Sequence, residues 1–468
     1  MDAALDITLL NPHFSEVQAL AARNGPVETS GYLLFGVNRI IADPWTTKPR
    51  LRLVSHRYVP VADEDRIDAS TMHVTWSTRG YMRLLSEAVA DGLIPGIVHT
   101  HPGSHAFFSD QDDCNEAELA RTAGNRGAQG LVSIVLGGDG SVCARLWKPD
   151  GTIADAQSVQ VVGGRYYRWQ AQGQEASPEH LDRQQRLFGE GFNPLIRSLR
   201  VGVIGGGGTG SPSALVLARL GVGRLLLLDK DQVELPNLNR LHGSRRADAE
   251  NKEFKVDVLK REVEAMDLGV QVVAKKTWAS DGAVRDALKS CDFILGCTDD
   301  HSGRIFINRL AYFYGIPVVD VGLRIMPAQH GIHDINGRVT TLIPGRPCLL
   351  CGGFVDPRRA AEEALERMDP DEFKRRKAEA YVVGGGDPAP AVVTFTTEMA
   401  CVAVNEIIAA LTGFQGEDGM VPTRYRRFHA RDERFLGVQS KPHCPVCNST
   451  RYWGRGDLEP FLDLIGEA

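Results

Sequence analysis

The stretch that most restricts what this chain can become spans residues 201–240. It opens VGVIGGGGTGS, an apolar run emptying into glycines. It then passes through a helix-like segment to a second apolar run, RLLLLD, and ends DKDQVELPNLNR. A strand, a glycine turn, a helix and a strand closed by an acid form a βαβ unit of the kind that seats a nucleotide. Gly205, Gly207 and Gly210 occupy the three glycine positions of G-x-G-x-x-G, and Asp229 follows Gly210 by nineteen residues. Glycine suits these positions because the backbone must turn tightly and approach a phosphate with no Cβ in the way. The glycine pattern alone is a weak signal; the acid at that distance and the apolar flanks make it a strong one. Read from these residues alone, the unit suits an NAD-dependent dehydrogenase as well as an ATP-using enzyme.

The surrounding chain extends this architecture. Strands are expected at 200–204, 224–228, 270–275, 292–296 and 317–321 with helices between them, and such alternation builds a parallel sheet covered on both faces. After Gly322 come short runs around glycine and proline, a charged stretch PRRAAEEALERMDPDEFKRRKAEA, and a helix-like run over 391–411. Residues 1–164 read as a separate mixed α/β domain. Its helix-like segments fall at 14–23, 78–90 and 112–123, and its apolar runs at 31–41 and 51–61. A short strand, GIVHTH, and two further strands, LVSIVLGG and VCARLW, joined at GGDG, complete it. The polar, aperiodic stretch 165–180 is expected to link it to a second domain over 181–468.

A length of 468 residues allows two or three domains, and 43% hydrophobic with 24% charged residues provides an ample core. The net charge of −6 argues against nucleic acid or an anionic membrane as a partner. The N-terminus, MDAALDITLLNPHF, carries acids where a secretory signal needs basic residues, and no apolar run reaches about eighteen residues. A cytoplasmic protein is therefore expected. Nine cysteines are too few for a disulfide scaffold, and four of them form two CxxC pairs. In a reducing compartment such pairs point to metal before disulfide.

The first chemical motif is GIVHTHPGSHAFFSDQDD. His99 and His101 alternate at a strand end, so both imidazoles face one side, and Asp112 at the start of the next helix can join them. Three protein ligands leave a fourth position for water, as in catalytic zinc sites. A bare H-x-H is more often idle, but this motif continues with seven residues and S-x-x-D, which resembles the signature of the JAMM (JAB/MPN-type) zinc metalloproteases, isopeptidases among them. The resemblance implies that His99, His101 and Asp112 bind Zn²⁺, that Ser109 stabilises the tetrahedral oxyanion, and that Glu28, in PVETSGYLLFG, is the general base. His105 and Asp113 lie close by with no role implied.

The nucleotide unit also runs beyond a dehydrogenase pattern. LARLGVGRLLLLDKDQVELPNLNR resembles the adenylating domain shared by ubiquitin-activating enzymes and ThiF/MoeB-type sulfur-carrier adenylyltransferases. That resemblance implies ATP and Mg²⁺ as cofactors. It assigns Asp229 to the ribose hydroxyls and Asp231, Asn237 and Arg240 to the phosphate end. Lys255, in NKEFKVDVL, would reach the phosphates, and Asp299, in ILGCTDD, would serve Mg²⁺–ATP. Arg183, in LDRQQRLFGEGF, would reach the ATP of a partner subunit, which implies a homodimer. A carboxylate attacking a phosphate needs cations nearby to offset repulsion between two anions, and this set supplies them. One departure is Leu241, where the family often has glutamine.

Cys348 with Cys351 (PCLLC) and Cys444 with Cys447 (HCPVC) make two CxxC hairpins, the donor set of a structural zinc. Ninety-two residues separate Cys351 from Cys444, so the site would staple distant segments together. Ubiquitin-activating enzymes pass their adenylate to a cysteine, yet no cysteine lies between Gly352 and Thr397. Cys401, within the apolar TEMACVAVNEIIAAL, is the one reserve and reads as a packed residue.

The expected fold class is α/β: a JAMM-type mixed domain followed by a Rossmann-like doubly wound sheet with a structural zinc site. The expected function joins a zinc (iso)peptidase to an adenylating enzyme. Its partner would be a ubiquitin-like or sulfur-carrier protein ending in glycine, with a conjugating enzyme as a further partner. Adenylation of a peptide or small-molecule carboxylate is the alternative in the same class. A non-catalytic scaffold that binds a ubiquitin-like protein is the alternative in another.

Overall fold

The apolar runs pair into two large sheets in a computed structural model that describes residues 3–69, 74–76, 78–170, 177–326, 334–378, 390–447 and 451–458. The first sheet has nine strands. Their spatial order is Tyr166–Gln170, Ser158–Val162, Ala4–Leu10, Arg50–Pro60, Ser30–Ile40, Ile94–His101, Leu131–Gly137, Val142–Trp147 and Ile153–Asp155. Successive side chains of a strand point to opposite faces, and here both faces are covered. Leu33, Phe35, Val37 and Val98 pack toward Phe14 and Val17 of helix Asn11–Asn24. Tyr32, Leu34 and Ile97 pack toward helices Thr78–Asp91 and Asp110–Asn125. Two covered faces explain why these strands read as continuous apolar runs.

The second sheet runs Gln271–Lys275, Arg224–Leu228, Arg200–Ile204, Phe293–Gly296, Val318–Met326, Asp334–Leu342, Thr423–Arg427 and Asp432–Phe435. The first five are parallel and match the expected strands, except that Val318–Met326 runs beyond 321. The last three are antiparallel additions that carried no apolar period. Thr423–Arg427 reads TRYRR and Asp432–Phe435 reads DERF, and their arginines and acids pair across the strands, as between Arg424 and Glu433 at 2.8 Å. The apolar helix Val393–Thr412 is long and apolar enough by composition to span a bilayer. It packs into the core instead, through Met399, Ala403, Val404 and Ile407. The charged stretch forms two helices, Pro357–Met368 and Pro370–Ala378.

Part of the stretch expected as a linker is ordered into the first sheet. Tyr166–Gln170 is a strand paired antiparallel with Ser158–Val162, while 171–176 lie outside the described residues. Tyr166 and Arg168, two residues apart, form the inward face of this strand, while Tyr167 between them is exposed. Tyr166 enters a core that joins Leu10, Val54 and Val162 of the first sheet to Val201 and Phe293 of the second. Charges are sealed in beside it: Asp292 is 1% exposed and accepts from Arg168 at 2.9 Å and from Arg52 at 2.8 Å. The segment 451–458 threads between the same two units. Gly454 N–H donates to Tyr312 O at 2.9 Å, and Asp457 N–H donates to Val37 O at 2.8 Å. A Cβ on Gly36 would lie 1.9 Å from Gly454 O, so glycine is required for this approach.

Candidate active sites

Pairing of Ser30–Ile40 with Ile94–His101 sets Ser30 opposite His99 and brings Glu28 beside the histidine motif. Thr29 N–H donates to Thr100 Oγ1 at 3.0 Å, and Thr100 N–H donates to Thr29 O at 3.0 Å, which locks the two segments together. Glu28, His99 and His101 are each less than a tenth exposed. His99 Nε2 lies 3.2 Å from Asp112 Oδ1, and His101 Nε2 lies 3.9 Å from both Asp112 Oδ2 and Glu28 Oε1. One donor atom from each of His99, His101 and Asp112 falls within 4.8 Å of the others. The buried His99 Nε2 has no hydrogen-bond partner of good geometry. Two imidazole nitrogens and a carboxylate converging on one point are the donor set of a metal ion.

The electrostatics agree. Burial holds the His101 imidazole below its ordinary range, and the neighbouring His99 adds to this, so the ring stays in the neutral, metal-binding form. Burial pushes the Asp112 carboxyl up, but His99 and the two Ser109 donors outweigh it and hold the carboxyl well below the usual range. Ser109 caps the helix that presents Asp112. Its hydroxyl donates to Asp112 Oδ2 at 2.6 Å and its N–H to the same oxygen at 2.8 Å, while Asp112 N–H donates back to Ser109 Oγ at 3.2 Å.

In the second sheet a cleft of about 760 Å³ opens beyond the ends of the parallel strands. Gly205, Gly207, Asp229, Asp231, Asn237, Arg240, Lys255 and Asp299 all line it. Gly205 has φ of 93°, and a Cβ on Gly210 would sit 1.7 Å from Gly205 O, so both glycines serve the turn itself. A Cβ on Gly207 would meet nothing within 4 Å, which leaves open space at the position facing a ligand. Asp229 accepts from Gly206 N–H at 2.7 Å and from Asp231 N–H at 2.8 Å, so its carboxylate also shapes the glycine loop. Burial pushes its carboxyl up, opposed by Lys255. Lys255 Nζ donates to Asp231 Oδ2 at 2.9 Å.

The paired acids of ILGCTDD divide their work. Asp300 caps helix His301–Tyr314 by accepting from Gly303 N–H at 2.7 Å, and Asp299 stays exposed in the cleft. Asn237 Oδ1 accepts from Glu234 N–H at 3.1 Å, and Arg240 donates to Pro236 O at 2.8 Å, so both also hold their own turn. Leu241 is 4% exposed and packs with Val233 and Val258. Arg183 does not join this cluster: it is exposed on helix Asp182–Phe188 and does not line the cleft. Lining residues that sequence reasoning missed include Lys230, Trp278, Arg304 and Arg367. Lys230 Nζ lies 4.4 Å and the Arg367 guanidinium 5.1 Å from the Trp278 ring centre. Lys230 sat visibly beside Asp231, but Arg367 came from the charged stretch, where nothing marked one arginine among several.

Across the second domain, Cys348 and Cys444 sulfurs lie 3.6 Å apart and those of Cys351 and Cys447 3.3 Å apart. Disulfide sulfurs would be about 2.05 Å apart, whereas tetrahedral zinc with Zn–S bonds of about 2.3 Å spaces them by roughly 3.8 Å. All four sulfurs lie within 4.8 Å of one another, which fits a metal. Burial pushes the Cys297 thiol up to about 12, so it is inert at the end of its strand. Cys401 is partly buried on helix Val393–Thr412.

The comparisons follow the same division. A family model for the ThiF family matches residues 181–448, and one for prokaryotic homologs of the JAB domain matches residues 10–149. The SAMP-activating enzyme E1 of Haloferax volcanii is 32% identical over 165 residues, covering 35% of this chain and 56% of that protein. Protein HesA of Leptolyngbya boryana is 25% identical over 288 residues, 60% of this chain and 90% of that one. The adenylyltransferase and sulfurtransferase uba4 of Aspergillus niger is 32% identical over 158 residues. The chain thus spans just over half of the Haloferax protein and 32% of the Aspergillus one. Among solved structures, E. coli MccB with ATP is 18% identical with a TM-score of 0.43, covering 58% of this chain and 75% of that one. That likeness is too remote to carry an argument.

Proposed function

Because this chain belongs to the ThiF family and carries a JAB-type domain ahead of it, we propose that it processes and activates one carrier protein. The carrier is a ubiquitin-like or sulfur-carrier protein with a C-terminal glycine. The relatives named for SAMP activation and for adenylyl and sulfur transfer support this choice of partner. The observation that carries the adenylation reading is the meeting of the glycine loop, Asp231, Arg240, Lys255 and Asp299 in one cleft. Gly205 and Gly207 admit the ATP phosphates, Asp229 orients the ribose, and Asp231 and Asn237 border the phosphate end. Lys255 and Arg240 offset the charge that builds as the carrier's terminal carboxylate attacks the α-phosphorus. The new bond joins carboxylate oxygen to phosphorus, the bond to the bridging oxygen breaks, and pyrophosphate leaves; Asp299 would hold Mg²⁺, which would offset the charge on the leaving group. The product is an acyl-adenylate.

At the first site His99, His101 and Asp112 would hold zinc. When bound, zinc supplies a Lewis acid and a water nucleophile near neutral pH. Glu28 takes the proton of the attacking water and returns it to the departing amine. Ser109 orients Asp112 and stands near the developing oxyanion. The peptidase thereby exposes the carboxylate that the second site activates. Arg183, exposed away from its own cleft, serves a partner subunit's ATP in a homodimer. The free thiols suit a cytoplasmic setting, and hand-over goes to a nucleophile on a separate molecule, such as a conjugating enzyme.

Incubation with ATP, Mg²⁺ and a glycine-terminated carrier should give ATP–pyrophosphate exchange. Asp299→Ala should abolish that exchange and spare proteolysis, while Glu28→Ala should do the reverse. Absence of exchange with every glycine-terminated carrier tried would refute the adenylation reading.

A further inference from the structure

Helix Asp110–Asn125 delivers Ser109 and Asp112 to the histidine pair, and its own placement depends on one arginine. Arg145, on strand Val142–Trp147, is 5% exposed. Its Nη1 lies 2.6 Å from Asp113 Oδ1, its Nε donates to Glu116 Oε2 at 2.8 Å, and its guanidinium lies 3.8 Å from the Phe108 ring centre. Arg145 therefore grips the chain on both sides of Asp112 without touching Asp112. Glu116 is 2% exposed and also accepts from Trp147 Nε1 at 2.8 Å and from Ser133 Oγ at 2.5 Å. Ser133 lies on the strand next to the histidines, where Ile97 pairs with Ser133 and His99 with Val135. The helix and the histidine strand are thus held in one register through a buried carboxylate and a buried guanidinium.

A carboxylate buried this deeply is costly unless every oxygen is met, and here Ser133 meets Oε1 while Arg145 and Trp147 meet Oε2, which fixes the helix against both strands. Farther along the same helix Ala120 and Ala123 pack into the apolar core. What does depend on the first turn is the 3.2 Å approach of Asp112 to His99. We propose that Arg145, with Glu116 and Asp113, is the positioning cluster of the candidate catalytic metal site. It keeps Asp112 within ligand distance of His99 and His101, and this inference rests on the metallopeptidase reading of that site.

The test uses cobalt(II) added to the metal-free full chain. Cobalt bound by four thiolates absorbs differently from cobalt bound by two imidazoles and a carboxylate, so each site reports separately in one sample. Because Arg145→Ala would strand the buried Glu116 charge, the variants are the paired Arg145→Met with Glu116→Gln, and the milder Asp113→Ala. The paired variant should weaken cobalt at the histidine site by about ten- to a hundredfold, the size expected when groups that orient a ligand are removed. Asp113→Ala should weaken it less, and the four-cysteine site should be unchanged in both. Unchanged affinity at the histidine site would overturn the proposal. So would equal weakening at both sites, because the cluster would then hold only the fold. Failure of the unmutated chain to bind cobalt in a manner that His99→Ala abolishes would instead remove the underlying reading of the site.

Discussion

Arg52 Nη2 donates to Asp292 Oδ1 at 2.8 Å across 240 residues of chain, and each of the two residues is 1% exposed. Arg168 meets the other carboxylate oxygen at 2.9 Å. Asp292→Ala would leave two buried guanidiniums without their anion, which costs about 3–5 kcal/mol. Denaturant unfolding should show this loss, with both halves of the molecule unfolding together. Two separated transitions, with the first half keeping its stability, would contradict a shared core.

Lys255 is 14% exposed and already held by Asp231 at 2.9 Å. Lys255→Ala should lower ATP–pyrophosphate exchange by about two to three orders of magnitude, the effect of removing one preorganised donor at a developing charge. Its melting temperature should move little, because the partner Asp231 is 45% exposed and can turn to water.

Burial, helped by the nearby His56, holds the His13 imidazole down at about 4, and burial lowers His56 as well. Unfolded, a histidine titrates near 6.5. Between those values the unfolded chain takes up a proton that the folded chain refuses. Stability from this group is therefore complete above about pH 6.5 and falls as the pH drops toward 4, by on the order of 3 kcal/mol. His13→Asn should flatten the stability profile over that interval relative to the unmutated chain. Parallel profiles would show that His13 is not a source of the acid sensitivity.

The two metal sites should part company under metal analysis. Two zinc ions per chain are expected, falling to one in His99→Ala. Glu28→Ala should retain both, since Glu28 is not among the three grouped metal donors. Cys348→Ser should lose the other ion and loosen the segment 451–458, seen as faster hydrogen exchange at Gly454, Gly456 and Asp457, whose amides bond to Tyr312, Phe313 and Val37. Unchanged exchange would separate that segment from the cysteine site.

Most of the parallel sheet was legible in the chain. Strand and helix alternate there with strong apolar runs, and five expected strands formed. The donor types were legible too, because H-x-H with S-x-x-D, two CxxC pairs and a glycine loop followed by an acid are local patterns. The strands Asp334–Leu342, Thr423–Arg427 and Asp432–Phe435 were not legible. Their arginines and acids pair with groups on neighbouring strands and helices, as Arg424 does with Glu433 and Glu406 and Arg338 with Asp320, so they show no apolar period. The strand Tyr166–Gln170 within the expected linker was not legible either: Arg168 looks like a solvated charge until Asp292 appears beside it.

By itself, then, the sequence determined which chemical groups this protein carries and the local geometry of each loop that presents them, since these depend on neighbours a few residues apart. Only the tertiary structure decided that the glycine loop, Lys255 and Asp299 share one cleft. It likewise decided that Asp113 pairs with Arg145, and that the two halves share a core. Those outcomes depend on burial and on contacts between residues far apart in the chain. No local period encodes them, because the desolvation that makes them matter exists only once the sheets have packed. The glycine loop thus pointed to a nucleotide-type cleft, and packing determined which charges line it.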